Sequence, residues 1–461
     1  MSTSPLGDFE DTIVALATPQ GLGALGIIRL SGKAAIEIAN RIFKGKDLTK
    51  QSSHTIHYGK IIHQDRIIDE VLVSVFIAPR SFTKENVVEI STHGSLYIIQ
   101  QIITLLLNEG ARLAKPGEFT KRAFLNGKFD LTQAEAVADL INADSEATHM
   151  AAMNQMRGGF SKRIKALREE LIHFASMIEL ELDFAEEDVE FANRDELVVL
   201  IGKLQKEIRQ LIESFRIGNV IKNGVPTVIA GKPNAGKSTL LNTLLEEEKA
   251  IVSEIPGTTR DFIEDEIHIE GISFRFIDTA GIREARDKIE AIGVERTKAK
   301  MKAASVIIYL VDLGEENQQE IIHEKQKLAE LGIPYLLVGN KVDKLSASDL
   351  HSLKKVLPEM ITISASNEQN IDQLKQALIH LVHLDEFRTG DTIVTNIRHI
   401  ESLNNTQIAL DDVMKGIDQQ ISGDLLAQDI RQALYHLGEI TGEITTDDLL
   451  GNIFSKFCIG K

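Results

Sequence analysis

The chain has 461 residues, 51 Lys and Arg against 68 Asp and Glu, a formal charge of −17 at pH 7 and a single cysteine. At about 100–200 residues per domain this length holds two to four domains, and an apolar share of 43% with 26% charged residues excludes a disordered or fibrous chain. One cysteine excludes an internal disulfide framework and any multi-cysteine metal site, and the acidic excess argues against a broad phosphate-gripping surface, which needs concentrated Lys and Arg.

Met1 to Thr12 carries Asp8, Glu10 and Asp11 without an apolar core, so no signal peptide is expected. The longest apolar runs, such as Ala303 to Val311, are too short to cross a bilayer. The expected location is cytoplasmic. Residues 1–125 read as mixed α/β. Short β-rich runs at Thr12–Ala17, Gly26–Leu30, Val71–Ile77 and Val87–Ser91 are punctuated by Gly and Pro, with a helical run from Leu96 to Asn108. Over 126–218 the period becomes helical. Phe160, Ile164, Leu167, Leu171, Phe174, Ile178 and Leu182 recur every three or four residues, as do Leu197, Leu200, Ile201, Leu204, Ile208, Leu211 and Phe215; these are stripes of bundle core.

Over 219–383 strands and helices alternate through Pro226–Ala230, Ser238–Leu245, Ile272–Asp278, Val306–Asp312, Pro334–Gly339 and Ile361–Ser364. That alternation predicts a parallel-rich sheet with helices on both faces. From 384 to 461 the helical pattern returns at Ile400, Leu403, Leu410, Val413, Met414 and Ile417, then at Leu425, Leu426, Ile430, Leu434 and Leu437. Helices on both sides of an α/β segment predict one discontinuous helical domain interrupted by an inserted domain. The fold class is therefore α/β and α.

Gly231-Lys-Pro-Asn-Ala-Gly236-Lys237-Ser238 matches G-x-x-x-x-G-K-[ST], follows an apolar strand and opens a helix. Glycines let the backbone N–H groups curl around phosphates, Lys237 reaches the β- and γ-phosphates, and the Ser238 hydroxyl binds Mg2+. Asp278-Thr279-Ala280-Gly281 ends the next strand, where the carboxylate can hold Mg2+ through water and the Gly281 N–H can sense the γ-phosphate. Asn340-Lys341-Val342-Asp343 ends a later one, where the Asp343 carboxylate accepts two N–H bonds from guanine, a donor pair that adenine lacks. Ser364-Ala365-Ser366 ends the last, where a backbone N–H meets the guanine carbonyl. Four motifs in order at strand C-termini fit the ligand edge of an open α/β sheet and predict a GTP site.

Between the first two motifs, Gly257-Thr258-Thr259-Arg260-Asp261 offers Thr259 as a second hydroxyl for Mg2+ when a γ-phosphate is present. Many small GTPases place a water-orienting Gln directly after Asp-Thr-Ala-Gly, but here the residue is Ile282. Another group must act. Glu290 follows Asp278 by twelve residues in a charged segment, and from spacing alone it reads as a solvated helix carboxylate rather than a catalyst. No arginine finger is identifiable from spacing.

The G domain inserted in a helical bundle, the loop Gly257 to Asp261 and the terminal Phe457-Cys458-Ile459-Gly460-Lys461 resemble the MnmE family, also called TrmE. The resemblance runs the length of the chain, through Asp11-Thr-Ile-Val-Ala15, Gly26-Ile-Ile-Arg-Leu-Ser-Gly32 and Lys115-Pro-Gly-Glu-Phe-Thr-Lys-Arg122. It implies a homodimeric GTPase that works with MnmG, an FAD-bearing partner, in a heterotetramer. The product is an aminomethyl or carboxymethylaminomethyl group on carbon 5 of the wobble uridine of certain tRNAs.

The resemblance also implies residue roles. Around GTP it places Asn234, Ala235, Gly236, Lys237, Ser238 and Thr239, then Ser253, Glu254, Ile255, Pro256, Gly257, Thr258 and Thr259. Asp278 to Gly281, Asn340, Lys341, Asp343, Ser364, Ala365 and Ser366 complete that set. Asn234 looks like the family's K+ ligand, with Ser253, Ile255 and Thr258 completing the cage, and Glu290 like the glutamate that positions the attacking water. The N-terminal domain, 1–125, resembles a folate-binding and dimerisation domain for a tetrahydrofolate derivative, 5-formyl- or methylene-tetrahydrofolate, that supplies one carbon. Arg29, Glu89, Lys128 and Lys461 look like its contacts, with Glu85 the neighbouring carboxylate to Glu89. Cys458 in the terminal motif becomes a candidate reactive thiol. Without the resemblance, Cys458 reads as a buried or incidental thiol, and Gly460 and Lys461 make a poor C-terminal prenylation signal, so none is expected.

Other signals are weaker. Gly21-Leu-Gly23-Ala-Leu-Gly26 matches the dinucleotide fingerprint in spelling, but Ile27 to Leu30 reads as a strand where that motif needs a helix. It reads as a loop beside the folate pocket. Basic clusters at Arg157, Lys162, Arg163, Lys165 and Arg168, and at Arg296, Lys298, Lys300 and Lys302, read as solvated helix faces that could also meet tRNA. Two rival functions remain open: a ribosome-assembly GTPase switch, which would need a dedicated basic domain, and a folate-dependent transferase with a merely regulatory G domain.

Overall fold

The structure, a computed structural model, describes residues 10–183, 194–249, 265–277, 301, 304–382 and 393–460. It divides into two compact units: Met1–Ile141, Gln155–Gln205 and Ser402–Lys461 form one, and Asn142–Asn154 and Lys206–Glu401 the other.

The first unit opens with β1 Thr12–Leu16, β2 Leu25–Ser31, α1 Ala35–Ile42, β3 Phe43–Lys44, β4 Thr55–His63, β5 Arg66–Phe76, β6 Val87–His93, α2 Leu96–Asn108 and β7 Ala111–Leu113. The strands form one sheet in the order β3-β4-β5-β6-β2-β1-β7, antiparallel except for the β1–β7 pair. Alternation decides the faces: Val71, Val73 and Val75 of β5 turn into the core under α1 and α2, while Leu72 between them is exposed. Strand β4 is absent from the sequence reading for a physical reason. Its inward positions include His57 and Gly59 and its outward ones Ile56 and Tyr58, which inverts the usual polarity. The Gly59 site is filled by the Phe43 ring, 2.4 Å from where a Cβ would stand.

The rest of the first unit is helical: α3 Glu118–Leu125, α4 Leu131–Asn142, α6 Gly159–Asp183, the first part of α7 Arg194–Asn223, most of α12 Ile397–Asp418, α13 Gly423–Thr441 and α14 Asp447–Phe454. The expected stripes are buried along α6 from Phe160 to Ile178 and along α7 at Leu197, Ile201, Leu204, Ile208 and Leu211, and α6 packs on α13. One position departs: Leu425 is 48% exposed, because α13 turns its neighbour Leu426 inward in phase with Ile430 and Leu437.

The second unit carries β8 Val225–Gly231, α8 Lys237–Lys249, β9 Asp265–Ile269, β10 Ile272–Phe276, β11 Val306–Asp312, α9 Gln318–Glu330, β12 Tyr335–Asn340, α10 Ala347–Val356, β13 Ile361–Thr362 and α11 Ile371–Leu381, with α5 Glu146–Met156 belonging mostly to it. Its sheet runs β13-β12-β11-β8-β10-β9, parallel except for β9. Strand β11 is buried at all seven residues, as a central parallel strand between two helical layers must be. One layer packs Leu240, Leu241, Leu374 and Leu378 on the sheet, the other Ile321, Leu328 and Leu353. Among the described residues no helix is long and apolar enough to cross a membrane.

Candidate functional site

The phosphate-loop sequence folds where β8 hands over to α8. Asn234 stands at φ 63° and Gly236 at φ 99°, left-handed positions that Asn tolerates and Gly favours. The loop has no room to spare at Gly236, since a Cβ there would lie 2.2 Å from Asn340 Nδ2. Left-handed turns ahead of a helix N-terminus point backbone N–H groups into a common concavity. That cradle fits a polyphosphate.

Lys237 opens α8 and its ammonium donates to the loop's own carbonyls, Gly231 O at 2.9 Å and Lys232 O at 2.8 Å. Burial holds its pKa below the usual lysine value. A half-buried cation resting on carbonyls is poised to exchange them for phosphate oxygens. Ser238 follows in the first turn of α8, half-buried, and Thr239 is exposed.

The base-recognition end is tied to this loop by one buried side chain. Asn340, the last residue of β12, donates from Nδ2 to Ala235 O at 2.8 Å, and its Oδ1 accepts the Ala365 N–H at 3.0 Å. Thr243 of α8 closes the ring by donating to Ala365 O at 2.9 Å. Lys341 follows at φ 65° and pairs with the buried Asp312 at the end of β11. Asp343 is exposed in a short 3-10 turn, Val342–Lys344, which the Val342 N–H pins to Ile363 O at 3.1 Å. Ser364 is buried and Ser366 exposed. The structure thus gathers 234–239, 340–343 and 364–366 at the C-terminal edge of one sheet.

Sequence reading missed three supports of this site: Thr243, Asp312, and the pairing of loop residue Lys232 with Glu316 at 3.1 Å and Glu320 at 2.6 Å. Of these, only Asp312 carried a signal, an acidic residue ending a parallel strand. Ser253, Glu254, Ile255, Pro256, Gly257, Thr258 and Thr259, the motif Asp278 to Gly281, and Glu290 lie outside the described residues, as does Lys461. So do Arg296, Lys298, Lys300 and Lys302 of the second basic cluster, while Arg168 of the first is paired with Glu443.

In the first unit, Arg29 of β2 stands opposite Glu89 of β6. Its Nε donates to Glu89 Oε1 at 2.8 Å, and Nη1 donates to the carbonyl of Gly460 at 3.2 Å. Glu85 is engaged differently, accepting from Ser31 Oγ at 2.6 Å and from Arg122 at 3.2 Å. Lys128 is exposed on the turn after α3, its amide donating to Ala123 O at 2.8 Å; among the described residues its ammonium does not touch Arg29 or Glu89. Cys458 is a free, exposed thiol. Ile27 to Leu30 lie in β2, so the Gly21 to Gly26 segment leads into a strand and has no helix for a pyrophosphate.

Behind the Arg29 pair lies a charged network that sequence reading did not find. Arg122 is fully buried and meets Asp11 at 2.6 Å, Glu85 at 3.2 Å and Glu118 at 3.2 Å. Arg112 joins it through Asp11 and Glu118, each at 2.5 Å. Burial alone would raise the pKa values of Glu118 and Asp11, yet hydrogen bonds and charge from Arg112 and Arg122 hold both below the usual carboxylate range.

Comparison with known proteins is consistent along the chain. A family model described as "MnmE helical domain" matches residues 131–458, and one described as "GTP-binding protein TrmE N-terminus" matches 12–128. A protein of Cytophaga hutchinsonii called "tRNA modification GTPase MnmE" is 60% identical over 461 residues, covering 100% of both chains. Proteins of the same description from Christiangramia forsetii and Flavobacterium psychrophilum are each 54% identical, covering 98% of this chain and 99% and 100% of theirs.

Proposed function

This chain belongs to the MnmE family of tRNA modification GTPases, and from that premise we propose that it hydrolyses GTP under K+ stimulation to drive wobble-uridine modification together with MnmG. The observation that carries the nucleotide half of this reading is the Asn340 bridge, which ties phosphate loop and base loop into one rigid cleft. In that cleft Lys237 would leave its carbonyls for the phosphates, and the exposed Asp343 would accept the guanine N–H groups. Ser238 and Thr259 would hold Mg2+, which when bound offsets charge on the phosphate oxygens. Asn234, with Ser253, Ile255 and Thr258, would hold K+, a charge standing where other GTPases use an arginine finger. The left-handed, exposed Asn234 supports that assignment. Glu290 would position the attacking water.

The N-terminal half of the proposal is a pocket for a tetrahydrofolate derivative in 1–125, served by Glu89, Arg29, Lys128 and Lys461. The half-buried Glu89 carboxylate suits the amine and ring N–H of a pterin. The remaining domains would be a helical domain in two parts, 126–218 and 384–461, and the inserted G domain, 219–383. The working assembly would be a cytoplasmic homodimer bound to FAD-bearing MnmG and tRNA, consistent with a −17 chain that leaves part of the RNA grip to a partner. Reconstitution tests it: the purified chain with MnmG, GTP, K+ and a tetrahydrofolate donor should modify a tRNA transcript at the wobble uridine. Product formation without this chain or without GTP would refute the coupling.

A further inference from the structure

We propose that Asp312 and Glu316 are positioning residues that clamp the phosphate loop to the base loop through Lys232 and Lys341, so that seating the phosphates sharpens recognition of guanine. The inference rests on the reading of Asp343 as the guanine acceptor and adds to it a coupling from the other end of the nucleotide.

The clamp is the turn that leaves β11. Asp312 ends the strand, and its carbonyl accepts the N–H groups of Glu315 at 3.2 Å and Glu316 at 2.9 Å. The turn is also sewn to β12, where the Leu313 N–H donates to Asn340 O at 3.1 Å. The Asp312 side chain, 5% exposed, takes the Gly314 N–H on Oδ1 at 2.9 Å and pairs with the Lys341 ammonium through Oδ2. The Glu316 side chain, 4% exposed, accepts the Asp312 N–H on Oε1 at 3.2 Å and faces the Lys232 ammonium with Oε2 at 3.1 Å. A buried carboxylate stays charged beside a cation. Here each of the two is compensated by a lysine from a different nucleotide loop.

Each lysine carries the constraint on toward the nucleotide. The Lys232 carbonyl accepts the Lys237 ammonium at 2.8 Å, so the place of Lys232 sets that of the cation meant for the phosphates. Glu320 of α9, exposed and 2.6 Å away, draws Lys232 the same way, and Glu320 with Glu316 holds its pKa above the usual lysine value. Lys341 stands at a left-handed φ of 65° directly before the Val342–Lys344 turn that carries Asp343, so a displaced Lys341 displaces Asp343. The route from Lys237 through Lys232, Glu316, Asp312 and Lys341 to Asp343 runs beside the Asn340 bridge and joins the same two ends. Coupling of two subsites is reciprocal, so a change on the phosphate side must be felt at the base.

Displacement of a fluorescent GDP analogue from the full-length chain by GDP and by IDP, whose base lacks the exocyclic amine, reads this coupling. The wild type should prefer GDP by about tenfold or more. Glu316→Gln keeps the shape of the side chain and removes its charge, and Lys232→Gln breaks the same pair from an exposed position that folding does not depend on. Both changes lie on the phosphate side, yet both should cut the GDP-over-IDP preference by about fivefold. Asp312→Asn should match them, and Lys232→Arg should keep most of the preference. A Glu316→Gln or Lys232→Gln chain that retains the full preference, or that weakens GDP and IDP by the same factor, overturns the clamp while leaving Asp343 in its role. A wild-type chain that binds GDP and IDP equally overturns the reading of Asp343 as well.

Discussion

Asn340 donates to the carbonyl of Ala235 across 105 residues of sequence, at 2.8 Å and fully buried. With the Ala365 N–H on its other side, it makes the phosphate loop and the base loop a single structural element. Asn340→Ala leaves a buried carbonyl and a buried N–H without partners, each costing about 1–3 kcal/mol. The expected result is a loss of guanine-nucleotide affinity of at least about tenfold with a lowered melting temperature. A fluorescent-nucleotide titration that gives wild-type affinity would show that the bridge does not shape the cleft.

Gly236→Ala tests the cradle itself. The new methyl would lie 2.2 Å from Asn340 Nδ2 at a left-handed φ of 99°, so loop and bridge cannot both hold. Nucleotide binding should fall by about tenfold or more, while circular dichroism stays near wild type because the change is confined to a loop. Unaltered binding would mean that the loop repacks freely.

The hydrolytic assignments separate binding from chemistry. Exchange of K+ for Na+ should slow GTP hydrolysis at least about tenfold with little change in GTP affinity; equal rates in both salts sink the Asn234 site. Glu290→Ala should bind GTP normally and hydrolyse it slower by about 10²-fold or more, the scale of one positioned acid–base group. A wild-type rate removes Glu290 from the mechanism.

The buried Arg122 network gives a pH signature. The buried Glu118 and the more exposed Asp11 both titrate below the usual carboxylate range, held there by Arg112 and Arg122. A depressed folded-state pKa stabilises above the unfolded values, about 3.9–4.3, and that stabilisation is lost as pH falls through the folded values. Arg122→Met strands the carboxylates without their buried cation and should cost about 3–5 kcal/mol at pH 7. The deficit should narrow below about pH 4 as those groups take protons. Urea denaturation at several pH values measures it; a deficit independent of pH contradicts the charge pairing.

What was legible in the sequence followed contiguity. Lys237 and Asn340 announce themselves because their motifs are contiguous and sit at strand ends, and α2 appeared with its bounds from Leu96 to Asn108 because an apolar run settles it. Arg122 was visible only as part of a family motif, since its partner Asp11 lies 111 residues away and no local pattern encodes that meeting. The Arg29–Gly460 contact, 431 residues apart, is of the same kind. Strand β4 was lost to an inverted polarity pattern, and Leu425 to a one-residue error of helical phase.

The most direct test is mass spectrometry of wobble uridines in tRNA from cells lacking this chain, resupplied with wild type or with Lys237→Ala. The 5-substituted uridines should vanish in the deletion and return only with the wild-type chain. Uridines that are unchanged in the deletion, or fully restored by Lys237→Ala, would contradict a GTP-driven role in tRNA modification.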